Sequence, residues 1–430
     1  MVDLKPFRGL FYNQSKVGDL SRVVTLPYDI ISESKQKRYY DASKYNYVRL
    51  ILGLEQPGDD DKNNKYKRAA SFLEDWVKEK VLVLDAKPGF YVYEQDYEIE
   101  GVKKKQVGFI SLVKLEPFEK GVILPHEQIY EKPLVDRHML LKETRASLES
   151  IIGIYSDPAR DTTRILEDAM QAAPRIDLAH DDCVRNRVWQ VNDKKMIERL
   201  AALMADKKVI IADGHHRYNT ALKYFKEEGR GDCPCGYIMM LLYNMDDVLT
   251  IMPTHRVLKN IPSFNPEVAK KKFGEYFRVE DFEFSERTKE NALKGMFDSL
   301  DAKKDKHAFG VYMGGGKFSL ILLKGRGMIQ DFVDNTKSMQ WNEMDVTILH
   351  SLVIEYLLGV KRDDMENIRY LKDKLKAVEL VDSGGWEVAF FLNATKLSQV
   401  KAIAEAGEKM PQKSSYFYPK PLSGLVTYRF

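Results

Sequence analysis

The stretch Lys207-Lys208-Val209-Ile210-Ile211-Ala212-Asp213-Gly214-His215-His216-Arg217-Tyr218 constrains the fold more than any other. Val209, Ile210 and Ile211 form a β-branched run that reads as a short strand, and Gly214 breaks it. Tyr218, Ala221, Leu222 and Phe225 then recur at helical spacing as far as Gly229. Asp213, His215, His216 and Arg217 therefore fall where a strand ends and a helix begins. Unpaired backbone N–H groups and the positive end of the helix dipole meet there, which suits an anion such as phosphate. Asp213 can cap the helix or hold a cation, Arg217 can grip a phosphate, and the two histidines titrate near neutrality.

An aspartate before a helix is most often only a cap. Two of the chain's eight histidines stand side by side here, however, and that concentration favours function. Adjacent histidines point in different directions on helix or strand, so this pair does not read as a two-histidine metal site.

The chain has 430 residues, enough for two or three domains. With 44% hydrophobic and 30% charged residues it reads as a soluble globular protein. A net charge of +3 without long blocks makes no demand for nucleic acid. No run of about 18 apolar residues is present and the start lacks a signal-like apolar region, so no membrane partner is expected. The three cysteines, Cys183, Cys233 and Cys235, are too few for a disulfide framework and fit a reducing, cytoplasmic setting. Cys233-Pro-Cys235 lies in a Gly/Asp/Pro loop without further metal ligands and reads as a plain loop.

Along the chain, the first 60 residues are turn-rich, and Gln56 to Asn64 is a polar loop. Tyr66 to Lys80 carries helical spacing, and Phe90–Tyr97 with Val107–Leu115 frames Glu100-Gly101 as a hairpin. His126-Glu127 opens a segment leading into a helix over Val135–Ser150. It offers a general-base candidate, with Lys132, Arg137 and Arg145 nearby as anion ligands. Strands are expected at Ile151–Tyr155, Val184–Val191, Tyr237–Tyr243 and Leu249–Met252, with helices at Thr162–Ala173 and Met196–Ala205. Pro253-Thr254-His255-Arg256 again places a histidine and an arginine at a strand end. Phe264 to Leu300 reads as charged helices and connectors. Gly314-Gly315-Gly316 reads as a hairpin turn between Ala308–Met313 and Phe318–Leu323, since it lacks the lysine, hydroxyl and helix of a phosphate loop. Further on, an apolar helix spans Val346–Leu358, a strand Val388–Leu392 and a helix Leu397–Ala406.

Six segments together resemble a large bacterial family of unassigned function, in that family's order and over nearly the whole chain. They are Pro6-Phe7-Arg8-Gly9, Leu26-Pro27-Tyr28-Asp29, His126-Glu127, Ala212-Asp213-Gly214-His215-His216-Arg217-Tyr218, Pro253-Thr254-His255-Arg256 and Met410-Pro411-Gln412-Lys413-Ser414. The Asp-Gly-His-His-Arg element also resembles the free-serine kinase branch of the ParB/sulfiredoxin superfamily. That resemblance implies a nucleotide-dependent kinase that phosphorylates the hydroxyl of free L-serine, with Mg²⁺ and either ATP or ADP as donor. In such a kinase Gly214 admits backbone amides to the phosphate, and His215, His216 and Arg217 neutralise the transferred group. Asp213 positions Mg²⁺ or the acceptor hydroxyl, and Glu127 takes the hydroxyl proton. His126, Arg145 and His255 are candidates for holding the amino acid. ParB-type DNA binding needs a basic helix-turn-helix after the motif, and none is read there.

The expected fold is α+β. Residues 1–260 form a ParB/sulfiredoxin-like nucleotide-binding core with insertions, the main one at roughly Tyr155 to Asn192 looped out. A smaller α+β domain spans 261–409, and an aromatic tail over 410–430 docks on the body. A phosphate-ester or nucleotide hydrolase, or a nucleotide-binding regulator, would use the same anion corner.

Overall fold

Strand-forming runs of the first half join into one nine-stranded mixed sheet. The computed structural model of the protein describes all residues except 128–130, 181–182, 230–232, 362–363 and 365, and at 131–133 it describes the backbone alone. The sheet runs in the order Ile123–Pro125, Val209–Asp213, Ile151–Tyr155, Tyr237–Asn244, Val102–Lys114, Phe90–Ile99, Arg185–Val191, Ile176–Ala179. Leu4–Lys5 adds to Val102–Lys114 off this path. Val209–Asp213 lies parallel to Ile123–Pro125 and antiparallel to Ile151–Tyr155. The expected hairpin is present as Phe90–Ile99 and Val102–Lys114, turning at Glu100 and Gly101, both at positive φ.

The core explains why this sheet forms. Val209, Ile211, Ile151, Phe109, Met240 and Leu242 are buried in one cluster with Leu200 and Met204 of the Lys194–Met204 helix. Each such side chain contributes roughly 1.5–3 kcal/mol by leaving water. The helix after the motif, His215–Glu228, buries Tyr218, Ala221 and Leu222 on the same cluster, and Phe225 packs against it half-buried. The Tyr218 hydroxyl donates to the Glu116 carbonyl at 2.8 Å and accepts from the Glu116 N–H at 2.9 Å, while its ring stacks on Phe118.

The described residues divide into two units: 1–125, 129–250 and 419–430, and 126–128 with 251–418. The second unit has a six-stranded antiparallel sheet in the order Phe277–Glu283, Lys317–Leu323, Ala308–Tyr312, Val388–Phe391, His255–Leu258, Ile368–Leu371. Gly314, Gly315 and Gly316, all at positive φ, make the expected turn between two of its strands.

Four expectations are corrected here. The division expected at 260 falls at 250, because His255–Leu258 pairs with Ile368–Leu371 and Val388–Phe391. The tail is not one docking piece: residues 410–418 belong to the second unit and 419–430 to the first. The stretch Tyr155 to Asn192 does not loop out, since Arg185–Val191 pairs with Phe90–Ile99 and extends the sheet. Phe277–Glu283, read as part of a charged helical region, is an edge strand; Arg278, Glu280, Asp281 and Glu283 lie toward solvent, as suits an unpaired edge. Among the described residues no helix is long and apolar enough to cross a membrane.

Candidate functional site

The strand Val209–Asp213 ends in a register shift against Ile151–Tyr155: Ile211 faces Gly153, whereas Asp213 faces Ile152. Ala212 is the extra residue, and a bulge of this kind bends a strand and re-aims the side chain that follows. Gly214 then adopts φ +93°, a region that other residues rarely enter, and begins the fourteen-residue helix. A Cβ at Gly214 would also come within 3.1 Å of the Arg217 guanidinium, which lies across it. The turn therefore favours glycine, and any side chain there would also press on the movable end of Arg217.

Asp213 is clamped by two cations. Lys420 Nζ donates to Oδ1 at 2.7 Å, and Arg217 Nη2 donates to Oδ2 at 2.8 Å. Arg217 Nη1 also donates to the Ser150 carbonyl at 2.8 Å. The Lys420 side chain is 5% exposed and that of Arg217 13%. Gln95 Nε2 donates to the Lys420 carbonyl and so holds the lysine's backbone in place. Burial pushes the Asp213 carboxyl up, but Lys420, Arg217 and His215 outweigh it and hold the group well below the usual carboxylate range. Asp213 with its two cations leaves one positive charge in excess at a helix N-terminus, where first-turn N–H groups have no carbonyl ahead of them.

A buried carboxylate flanks it. Glu149 accepts the Tyr28 N–H at 3.1 Å and the Ser423 hydroxyl at 3.0 Å. Burial raises its affinity for a proton, and Arg217 and Arg137 oppose that. Arg137 stacks on the Tyr28 ring at 4.0 Å, and burial lifts the Tyr28 hydroxyl to about 12.

The other expected site residues distribute as follows. His215 is buried at the first helical position, and its carbonyl accepts from Asn219 Nδ2. His216 follows it, half-buried. His126 and Glu127 belong to the second unit, where His126 Nε2 is 2.8 Å from the Ser415 hydroxyl and the Glu127 carboxylate accepts the Lys413 N–H at 3.2 Å. Arg145 is exposed just past the Glu131–Thr144 helix, at φ +49°. His255 is 2% exposed in the second unit, in edge contact with Phe391, and its Nδ1 accepts the Leu392 N–H. Burial first, then Arg256 and Lys374, lower it to about 3. This is a neutral core histidine, and the expectation that it holds substrate is withdrawn. The Lys132 side chain lies outside the described residues.

Two residues of the corner escaped the sequence. Lys420 is 207 residues from Asp213, so spacing carried no signal; its position between Pro419 and Pro421, which fix the backbone, was the available hint. Glu149 sat in a predicted helix but lies beyond its end.

The expectation that Asp213 holds Mg²⁺ meets a carboxylate already engaged on both oxygens. Among the described residues no group of three or more His, Cys, Asp or Glu side chains comes together to hold a metal. Each oxygen of Asp213 already faces a cation. The Cys233-Pro-Cys235 loop is also corrected, since its two cysteines are joined by a disulfide, while Cys183 is free and exposed.

A family model described as "Protein of unknown function (DUF1015)" matches residues 4–347. The chain belongs to this family. No curated protein matches it. Solved structures similar to the chain include a free serine kinase in complex with AMP, 13% identical, covering 72% of this chain and 86% of that one at a TM-score of 0.34. SbnI with a C-terminal truncation from Staphylococcus aureus is 9% identical, with 74% and 86% covered and a TM-score of 0.36. A conserved hypothetical protein from Pyrococcus furiosus is 13% identical, with 73% and 91% covered and a TM-score of 0.33.

Proposed function

We propose that the Asp213–Arg217 corner binds the phosphates of a nucleotide, ATP or ADP, and that the protein transfers a phosphoryl group to the hydroxyl of a small amino acid, free L-serine first. The observation that carries this reading is the clamp itself: Arg217 and Lys420, both largely buried, meet at a glycine-opened helix N-terminus. Phosphoryl transfer rests mainly on positioning and charge neutralisation, which two fixed cations and a row of N–H groups supply. His215 and His216 add donors on the first turn. Asp213 keeps both cations aimed, and its low proton affinity leaves it a poor base.

In the reaction the terminal P–O bond of the nucleotide breaks, the serine oxygen takes the phosphorus, and the shortened nucleotide leaves with the electron pair. The hydroxyl proton goes to a base, a role the sequence reading gives to Glu127. Mg²⁺ enters as the nucleotide's counter-ion, in the cytoplasm where nucleotides are abundant.

Phosphorus NMR of the full chain with Mg²⁺, L-serine and either donor tests the reading. The expected outcome is an O-phosphoserine signal that Arg217→Met removes. Orthophosphate alone would replace transfer by hydrolysis, and nucleotide binding without turnover would leave a regulator. Glu127→Gln is expected to slow transfer by about 10²–10⁴-fold; full activity in that variant removes Glu127 from the mechanism.

A further inference from the structure

Cys233 and Cys235 are joined within the first unit, across the single turn Pro234–Gly236 that leads into the strand Tyr237–Asn244. In the chain-entropy account, a disulfide stabilises a fold less the shorter the loop it closes. This one spans a sequence separation of 2, over a turn that the Gly236 N–H already closes on the Cys233 carbonyl at 2.8 Å. It ties no distant elements together. The bond therefore adds little to the fold, and its presence asks for a chemical reason.

The two sulfurs are unequal. Cys235 is 4% exposed within the core cluster, whereas Cys233 is half-buried at the border of that cluster, beside an exposed Pro234. A thiolate from solution thus reaches Cys233 more readily than Cys235. The Cys235 N–H donates to Cys233 Sγ at 3.2 Å, and the same N–H stabilises negative charge left on that sulfur when the bond opens. The turn is also held from three sides. Tyr428 donates its hydroxyl to the Pro234 carbonyl at 3.1 Å, the Leu115 N–H donates to the Gly236 carbonyl at 2.8 Å, and Phe225 packs on Gly236. Neither sulfur drifts far after cleavage, so closing the bond again is intramolecular and favoured. A metal is the other use of two close thiols, and among the described residues no third His, Cys, Asp or Glu joins them to hold one.

We propose that Cys233 and Cys235 form a thiol–disulfide exchange site for a low-molecular-weight thiol of the glutathione class. In the first step a glutathione thiolate attacks Cys233 Sγ, the protein S–S bond breaks, and its electron pair leaves on Cys235 Sγ, which takes a proton from water. A second glutathione thiolate then attacks the glutathione sulfur of the mixed disulfide and releases Cys233 as a thiolate. Two glutathione thiols are oxidised to their disulfide as the protein disulfide is reduced, and oxidised glutathione runs both steps in reverse.

The test equilibrates the folded full chain with reduced or with oxidised glutathione, alkylates it under denaturing conditions and maps the adducts by mass spectrometry. Reduced glutathione should open the pair and give two adducts on the segment holding Cys233 and Cys235; oxidised glutathione should restore none. In Cys235→Ser, oxidised glutathione should leave a stable mixed disulfide on Cys233, and Cys235→Ala gives the same trap if the serine variant folds poorly. In Cys233→Ser, Cys235 should take up glutathione about tenfold more slowly than Cys233 does in its own variant. A pair that reduced glutathione opens only after denaturation is a structural disulfide and overturns the assignment. Two thiols that persist in oxidised glutathione overturn it as well, as does glutathione trapped on Cys235 at least as fast as on Cys233.

Discussion

Replacing Asp213 by asparagine removes the one negative charge between Lys420 and Arg217 while keeping the shape. A unit-charge pair 2.7 Å apart attracts by about 6 kcal/mol at an effective dielectric constant near 20, before the cost of desolvating both ions. Removing one partner of a buried pair leaves that desolvation unopposed and typically costs about 3–5 kcal/mol. Arg217 retains the Ser150 carbonyl and the field of Glu149, so the lower end, about 3 kcal/mol, is expected. Lys420→Met strands Asp213 with Arg217 alone and should cost about 2 kcal/mol. The double variant removes both charges together and should recover about 2 kcal/mol relative to the sum of the singles. Hydrogen exchange of the Val209–Asp213 amides reads this directly in the first unit. Additive single effects, or an Asp213→Asn strand within about 0.5 kcal/mol of the parent, would refute the clamp. The double variant has a second use: if it folds well yet transfers no phosphate, loss of activity is chemical and not a failure to fold.

Two further outcomes are expected. His255 is held near 3 in the folded state against about 6.5 when unfolded, so the unfolded chain takes up its proton first as pH falls. The second unit should therefore keep this contribution above pH ~6.5 and lose it progressively toward pH ~3, by about 2 kcal/mol at pH 5. Exchange of the Val388–Phe391 amides measures it, and an equal pH slope in His255→Asn would exclude His255 as the cause. Alkylation followed by mass spectrometry should give one adduct, at Cys183, before reduction and three after it; adducts at Cys233 or Cys235 without reductant would contradict their pairing.

The strand, turn and helix around Asp213 were legible because the local pattern is self-consistent: a β-branched run, a glycine, then apolar residues at helical spacing that all face one core. The hairpin about Glu100-Gly101 and the triple-glycine turn were legible for the same reason, each being decided by a few adjacent residues. Phe277–Glu283 was not, because an edge strand with a wet, charged face lacks the apolar alternation that marks a half-buried one. His255 misled because its sequence neighbours, Thr254 and Arg256, are polar, whereas its spatial neighbours are Phe391 and Phe297. Lys420 and Glu149 meet Asp213 and Arg217 only through long-range packing, and no local rule reaches that far.

The span between Asp213 and Lys420 also sets a schedule for synthesis. Asp213 leaves the ribosome 207 residues before the lysine that completes its clamp, with Ile251–Tyr418 translated in between. At about 5–20 residues per second the interval is roughly 10–40 s. Throughout it the nascent first unit carries an aspartate bound on one side only. The clamp on Asp213 is thus closed late, by a lysine translated after the whole second unit.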